Sequence, residues 1–104
     1  MKLRSLVLAT AVALPVLAAG DAAAGKAVYE KSCTRCHLID GAPKAAVAKM
    51  MKVEMKHLGS KEVQGKTDAV LIKESKEGVG KMKPVTLTDA EAANVVAFVR
   101  TLKQ

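Results

Sequence analysis

Cys33-Thr34-Arg35-Cys36-His37 sets two thiols three positions apart and places an imidazole directly after the second. On a helical turn, residues i and i+3 lie on nearly the same face, so both sulfurs can reach one edge of a flat partner. C-x-x-C-H is the spacing for covalent attachment of a c-type haem. The thiols add as thioethers to two vinyl groups on one porphyrin edge, and the histidine brings a ring nitrogen to one axial position of the iron. Cys33, Cys36 and His37 are therefore the candidate haem-binding residues, and His37 is also a candidate iron ligand.

Two other chemistries use such a pair. A redox-active C-x-x-C sits at a helix N-terminus behind a strand, where its thiol pKa falls. Here the predicted helix precedes the cysteines, which argues against a thiol oxidoreductase. A zinc site from Cys33, Cys36, His37 and His57 would need adjacent Cys36 and His37 on one tetrahedral ion, and the spacing matches no common finger.

Ahead of the motif, Asp21 to about Ser32 is rich in Ala, Lys and Glu and predicts a helix, with Gly25 and Tyr29 on one face. Further back, Lys2 and Arg4, the apolar run Leu6 to Ala19, and the small residues Ala18, Ala19 and Gly20 form the three regions of a secretory signal peptide. Residues 1–20 are expected to be removed and 21–104 to form one haem domain in the periplasm. The apolar run is shorter than the roughly 20 residues of a spanning helix, so no stable membrane insertion is expected after removal. The domain is small enough for its core to be marginal. Tyr29 and Phe98 are its only aromatics and Trp is absent, so something other than side chains should fill the middle.

Behind the motif, Asp40-Gly41-Ala42-Pro43 predicts a loop. Ala45 to Leu58 predicts a helix from the spacing of Val47, Met50, Met51 and Leu58, with Gly59 as its stop. Thr67 caps a short helix through about Lys76, which Gly78 ends. Thr88 and Glu91 form a capping box ahead of Val95-Val96-Ala97-Phe98-Val99, a helix expected to run nearly to Gln104. No period-two pattern, repeat or linker is present, so the fold class is all-α.

The second axial position decides between electron transfer and ligand chemistry at the iron. Met82 lies in the loop Gly78-Val79-Gly80-Lys81-Met82-Lys83-Pro84, where two glycines free the backbone to bring a side chain to the haem face. It is the candidate sixth ligand. His57 is the competitor. Met50, Met51 and Met55 fall at core-like intervals on a predicted helix and read as packing against porphyrin or protein rather than as iron ligands.

These residues resemble the small class I bacterial cytochromes c over most of 21–102. The resemblance is carried by Ala24-Gly25-Lys26-Ala27-Val28-Tyr29 leading to the motif, by Gly41-Ala42-Pro43-Lys44, and by Gly80-Lys81-Met82-Lys83-Pro84 with Val95-Val96-Ala97-Phe98-Val99-Arg100. It implies about four helices around one covalent haem, with the N- and C-terminal helices packed together. Gly25 and Tyr29 match the glycine and aromatic that pack on the last helix's aromatic, here Phe98. It also implies that the Pro43 carbonyl accepts the other ring N–H of His37, which would fix the tautomer. One departure is that Lys83 separates Met82 from Pro84, where the family commonly has Met-Pro.

With both axial positions filled, the expected function is soluble one-electron transport by haem c cycling between Fe(III) and Fe(II), in a respiratory or photosynthetic chain, with no enzymatic activity. A haem sensor or peroxidase-like enzyme with an open axial site is the alternative, and a thiol oxidoreductase a weaker one. The chain carries 17 basic and 10 acidic side chains, a net charge of +7. Lys31, Arg35, Lys81 and Lys83 are placed to ring the haem edge and steer it to acidic patches on redox proteins. Such encounters need only small interfaces, and a monomer is expected. Nucleic acid is excluded as a partner by export and the scarcity of stacking aromatics.

Overall fold

The computed structural model describes residues 20–104 and contains five helices: α1 (Ala22–Ser32), α2 (Ala45–Met51), α3 (Lys61–Gln64), α4 (Asp68–Glu77) and α5 (Asp89–Thr101). Among the described residues there is no β-strand, and two isolated bridges, His37 to Pro43 and Val79 to Met82, pin the loops. The leader expected over 1–20 lies outside the described residues apart from Gly20.

α1 begins where Asp21 accepts hydrogen bonds from the amides of Ala23 and Ala24 at 2.9 and 3.2 Å. A carboxylate there satisfies orphan donors and complements the helix dipole. α5 begins with the expected capping box, in which Thr88 and Glu91 exchange side chain-to-amide bonds at 3.1 and 3.0 Å. The two helices cross at Gly25, where a Cβ would stand 1.8 Å from the Asn94 carbonyl oxygen. Only glycine lets the backbones approach so closely. One turn on, Tyr29 is 1% exposed and its ring meets Phe98 at 5.0 Å between centroids, tilted by 58°. Val95 and Val99 complete this cluster, with Val28, Cys33, Leu58 and Leu102 packed around it.

A second cluster joins Val63 of α3, Leu71 of α4 and Val96 of α5. Arg100 fastens the same junction, donating to the carbonyls of Gln64 and Lys66 at 2.8 and 2.6 Å and to Asp68 at 3.0 and 2.8 Å. Three of the predicted helices are recovered, α5 stopping at Thr101 rather than near Gln104.

The second predicted helix is corrected. It ends at Met51, because Lys52 turns left-handed (φ 54°, ψ 48°) and its amide closes on the carbonyls of Ala48 and Lys49. α2 has no side-chain N-cap and no buried residue, so nothing pulls β-branched Val53 into helix. Residues 53–57 have no regular structure. Gly59 is therefore no helix stop. A Cβ there would lie 2.0 Å from the Leu102 carbonyl oxygen, so the glycine admits the end of the chain. α3, absent from the sequence reading, is one turn capped by the Ser60 hydroxyl on the Val63 amide.

Candidate haem-binding site

The motif is wound directly onto the end of α1. The Cys33 amide donates to the Tyr29 carbonyl at 2.8 Å, and the Cys33 carbonyl then accepts from Cys36 and His37 at 3.3 and 3.0 Å. The chain thus continues in one tight turn, keeping both thiols and the imidazole at one end of a helix that Gly25 and Tyr29 anchor. The Tyr29 hydroxyl donates to the Leu38 carbonyl at 2.5 Å, tying the strand of chain after His37 back to α1. Leu38 to Ala42 and Lys44 to Cys36, both backbone bonds, set Pro43 opposite His37.

The electrostatics suit attachment better than thiol exchange. Burial, reinforced by Cys36, pushes the Cys33 thiol up to about 11, whereas a redox-active thiol needs a lowered pKa. Burial also lowers the His37 pKa, which keeps the imidazole neutral, the form that binds metal. His37 Nδ1 is buried with no hydrogen-bond partner. The bond to the Pro43 carbonyl implied by the resemblance is thus not made here, although Pro43 is the bridge partner. A buried ring nitrogen left unpaired costs about 1–3 kcal/mol, and no hydrogen bond from the protein fixes this imidazole. Among the described residues no three His, Cys, Asp or Glu side chains are grouped to hold a metal ion. Two thiols on one turn could anchor a porphyrin edge, and the neutral imidazole beside them could bind its iron.

The two candidates for the opposite face sit differently. His57 lies in the irregular segment after α2, and its Nδ1 accepts the Gly59 amide at 2.9 Å, which builds it into a turn. Met82 closes a two-residue turn with Val79, their amides and carbonyls exchanging bonds at 3.1 and 2.9 Å. Gly80 at φ 56° makes that turn. Gly78 (φ 82°) forms the base of the loop, where a Cβ would stand 2.5 Å from the Met82 carbonyl oxygen and 3.0 Å from Pro84 N. Lys83 stands between Met82 and Pro84 in this loop and is exposed. Met50, within α2, is 75% exposed to solvent. Lys31, Arg35, Lys81 and Lys83 are all exposed. Lys81 is engaged, its ammonium donating to the Met51 carbonyl at 2.7 Å. No pattern in the sequence announces that contact, nor the grip of Arg100.

Comparison with known proteins decides the family. The cytochrome c family model matches residues 22–103. The chain belongs to the cytochrome c family. It is 40% identical over 84 residues to cytochrome c-555 of Chlorobaculum tepidum, covering 75% of this chain and 73% of that protein. Its fold is similar to that of the solved KustC0563 c-type cytochrome, with a TM-score of 0.67 at 27% identity, over 77% of this chain and 98% of that one. A cytochrome c of this kind binds haem c covalently, and Cys33 and Cys36 carry the spacing for it.

Proposed function

We propose that this cytochrome is a soluble one-electron carrier with Cys33 and Cys36 as its haem anchors and His37 and Met82 as its axial ligands. The turn from Cys33 to His37 on the end of α1 carries the reading. When bound, the haem supplies reversible exchange between Fe(III) and Fe(II). The protein's part is to hold and tune that centre. The turn fixes the two thioether positions relative to a rigid helix. His37 presents a neutral ring because burial disfavours its charged form. Met82 offers a soft sulfur from a loop whose shape Gly78 and Gly80 set. A thioether ligand and an apolar pocket favour the reduced, less charged iron, so the potential lies above that of a bis-histidine haem.

With both faces occupied no substrate meets the metal, which separates a carrier from a sensor or peroxidase. Exposed Lys31, Arg35 and Lys83 supply steering toward acidic patches on redox partners. Among the described residues no helix is long and apolar enough to cross a membrane. Removal of residues 1–20 after export to the periplasm belongs to the same proposal.

Two measurements test it. The reduced protein should resist carbon monoxide, since a saturated iron offers no site, and ready binding would favour an open-site haem protein. Met82→Ala should abolish the weak far-red band of ferric methionine-ligated haem and lower the potential. Loss of the band in His57→Ala with retention in Met82→Ala would reverse the assignment.

A further inference from the structure

We infer that Lys81 is a positioning residue for the sixth ligand, its ammonium clamping the Met82 loop onto the C-terminal end of α2. This rests on the reading of Met82 as that ligand. Lys81 Nζ donates to the carbonyl of Met51, the last residue of α2, at 2.7 Å across 30 positions of sequence. The last carbonyls of a helix lack partners within it and carry the negative end of its dipole, so a cation is matched to that place.

Each side of the contact has backbone bonds of its own but no buried residue. α2 starts at Lys44 without a side-chain cap, buries none of its residues and ends in a left-handed lysine. The Met82 loop holds itself through the Val79–Met82 turn, and Val85 bonds back to Ser75 of the preceding helix. Among the described residues, Lys81 makes the loop's one hydrogen bond to α2. Because Lys81 directly precedes Met82 inside the turn, fixing its ammonium restricts how far the Met82 backbone can move.

The contact also divides the labour between neighbouring lysines. Both are exposed and in no ion pair among the described residues, but Lys81 donates to the Met51 carbonyl while Lys83 makes no side-chain hydrogen bond there. That leaves Lys83 the freer charge for docking.

The test uses the haem-loaded protein and the variants Lys81→Leu, Lys81→Arg and Lys83→Leu, none of which adds a thioether beside Met82. The ferric far-red band and the far-UV helix signal are followed on heating, and hydrogen exchange is read at the amides of Met82 and Lys52. In Lys81→Leu the band should disappear at a lower temperature than the helix signal. Exchange at both amides should rise about fivefold, as expected for losing one charge-assisted, solvent-exposed bond. Lys81→Arg, which can still donate to the carbonyl, should restore both readouts, and Lys83→Leu should match the parent protein. Equal behaviour of Lys81→Leu and Lys83→Leu overturns the clamp. A Met82→Ala protein that keeps the band overturns the ligand reading and the positioning role with it. Unchanged exchange in Lys81→Leu beside a Met82-dependent band overturns the clamp alone.

Discussion

The α1–α5 crossing and the α2–Met82 loop side of the molecule are built on opposite terms. At the crossing, polypeptide packs on polypeptide. Gly25 brings the backbones together, Tyr29 is sealed against Phe98, and Val95 and Val99 close the cluster. On the other side α2 buries none of its residues against protein, and the Met82 loop is shaped by two glycines, by the Val79–Met82 turn, by the Val85 bond to Ser75 and by one lysine contact. Cys33 and His37 are launched from the side where polypeptide packs on polypeptide. Met82 comes from the side held by backbone turns, and local opening free energies differ between such regions of a fold.

Breaking the crossing should have the largest effect. Gly25→Ala drives a Cβ into the Asn94 carbonyl, which is backbone and cannot step aside. A loss of about 3 kcal/mol or more, or failure to accumulate folded holoprotein, is expected in denaturant titration. Near-parental stability would show that the helices separate easily and would erase the contrast. Tyr29→Phe is milder: it keeps the ring on Phe98 and leaves the Leu38 carbonyl without its hydroxyl donor. A loss of about 1–2 kcal/mol is expected by the same titration.

How far the sequence reveals these two regions follows the same division. The crossing is legible because its signals are local or periodic: an acidic cap at Asp21, a capping box at Thr88 and Glu91, and a glycine and aromatic one turn apart. The haem motif is legible because its spacing states its own chemistry. α2 is misread because its apolar positions continue a helical rhythm past Met51, while the left-handed turn at Lys52 that ends it carries no glycine to announce it. His37 Nδ1 and Lys81 depend on loop placement, which propensity does not encode. α3 is missed because a four-residue turn after Ser60 is too short to show a period.

Smaller changes sharpen the comparison. Thr88→Ala removes the α5 cap and should cost about 1 kcal/mol in thermal unfolding. Its partner Glu91 has its pKa lowered, first by the Thr88 backbone bond and then by the side-chain bond. A carboxyl lowered in the folded state stabilises above its unfolded pKa, and that contribution fades as pH falls through the folded one. The gap between parent and Thr88→Ala should therefore narrow on acidification, and a constant gap would mean Glu91 is not coupled to the cap. On the α2 side, Lys52→Gly relieves the positive φ at the end of α2. It should slow exchange of α2 amides by severalfold, a gain of about 1 kcal/mol or less. Global unfolding should barely move, because α2 opens by itself.

The most direct test of the account is a pyridine haemochrome spectrum of the exported protein, with a thiol titration on the same sample. The account predicts one covalently bound haem per chain, absent from Cys33→Ala/Cys36→Ala, and no free thiol in the parent. A colourless protein whose two cysteines titrate as thiols, or are joined only to each other, would contradict it.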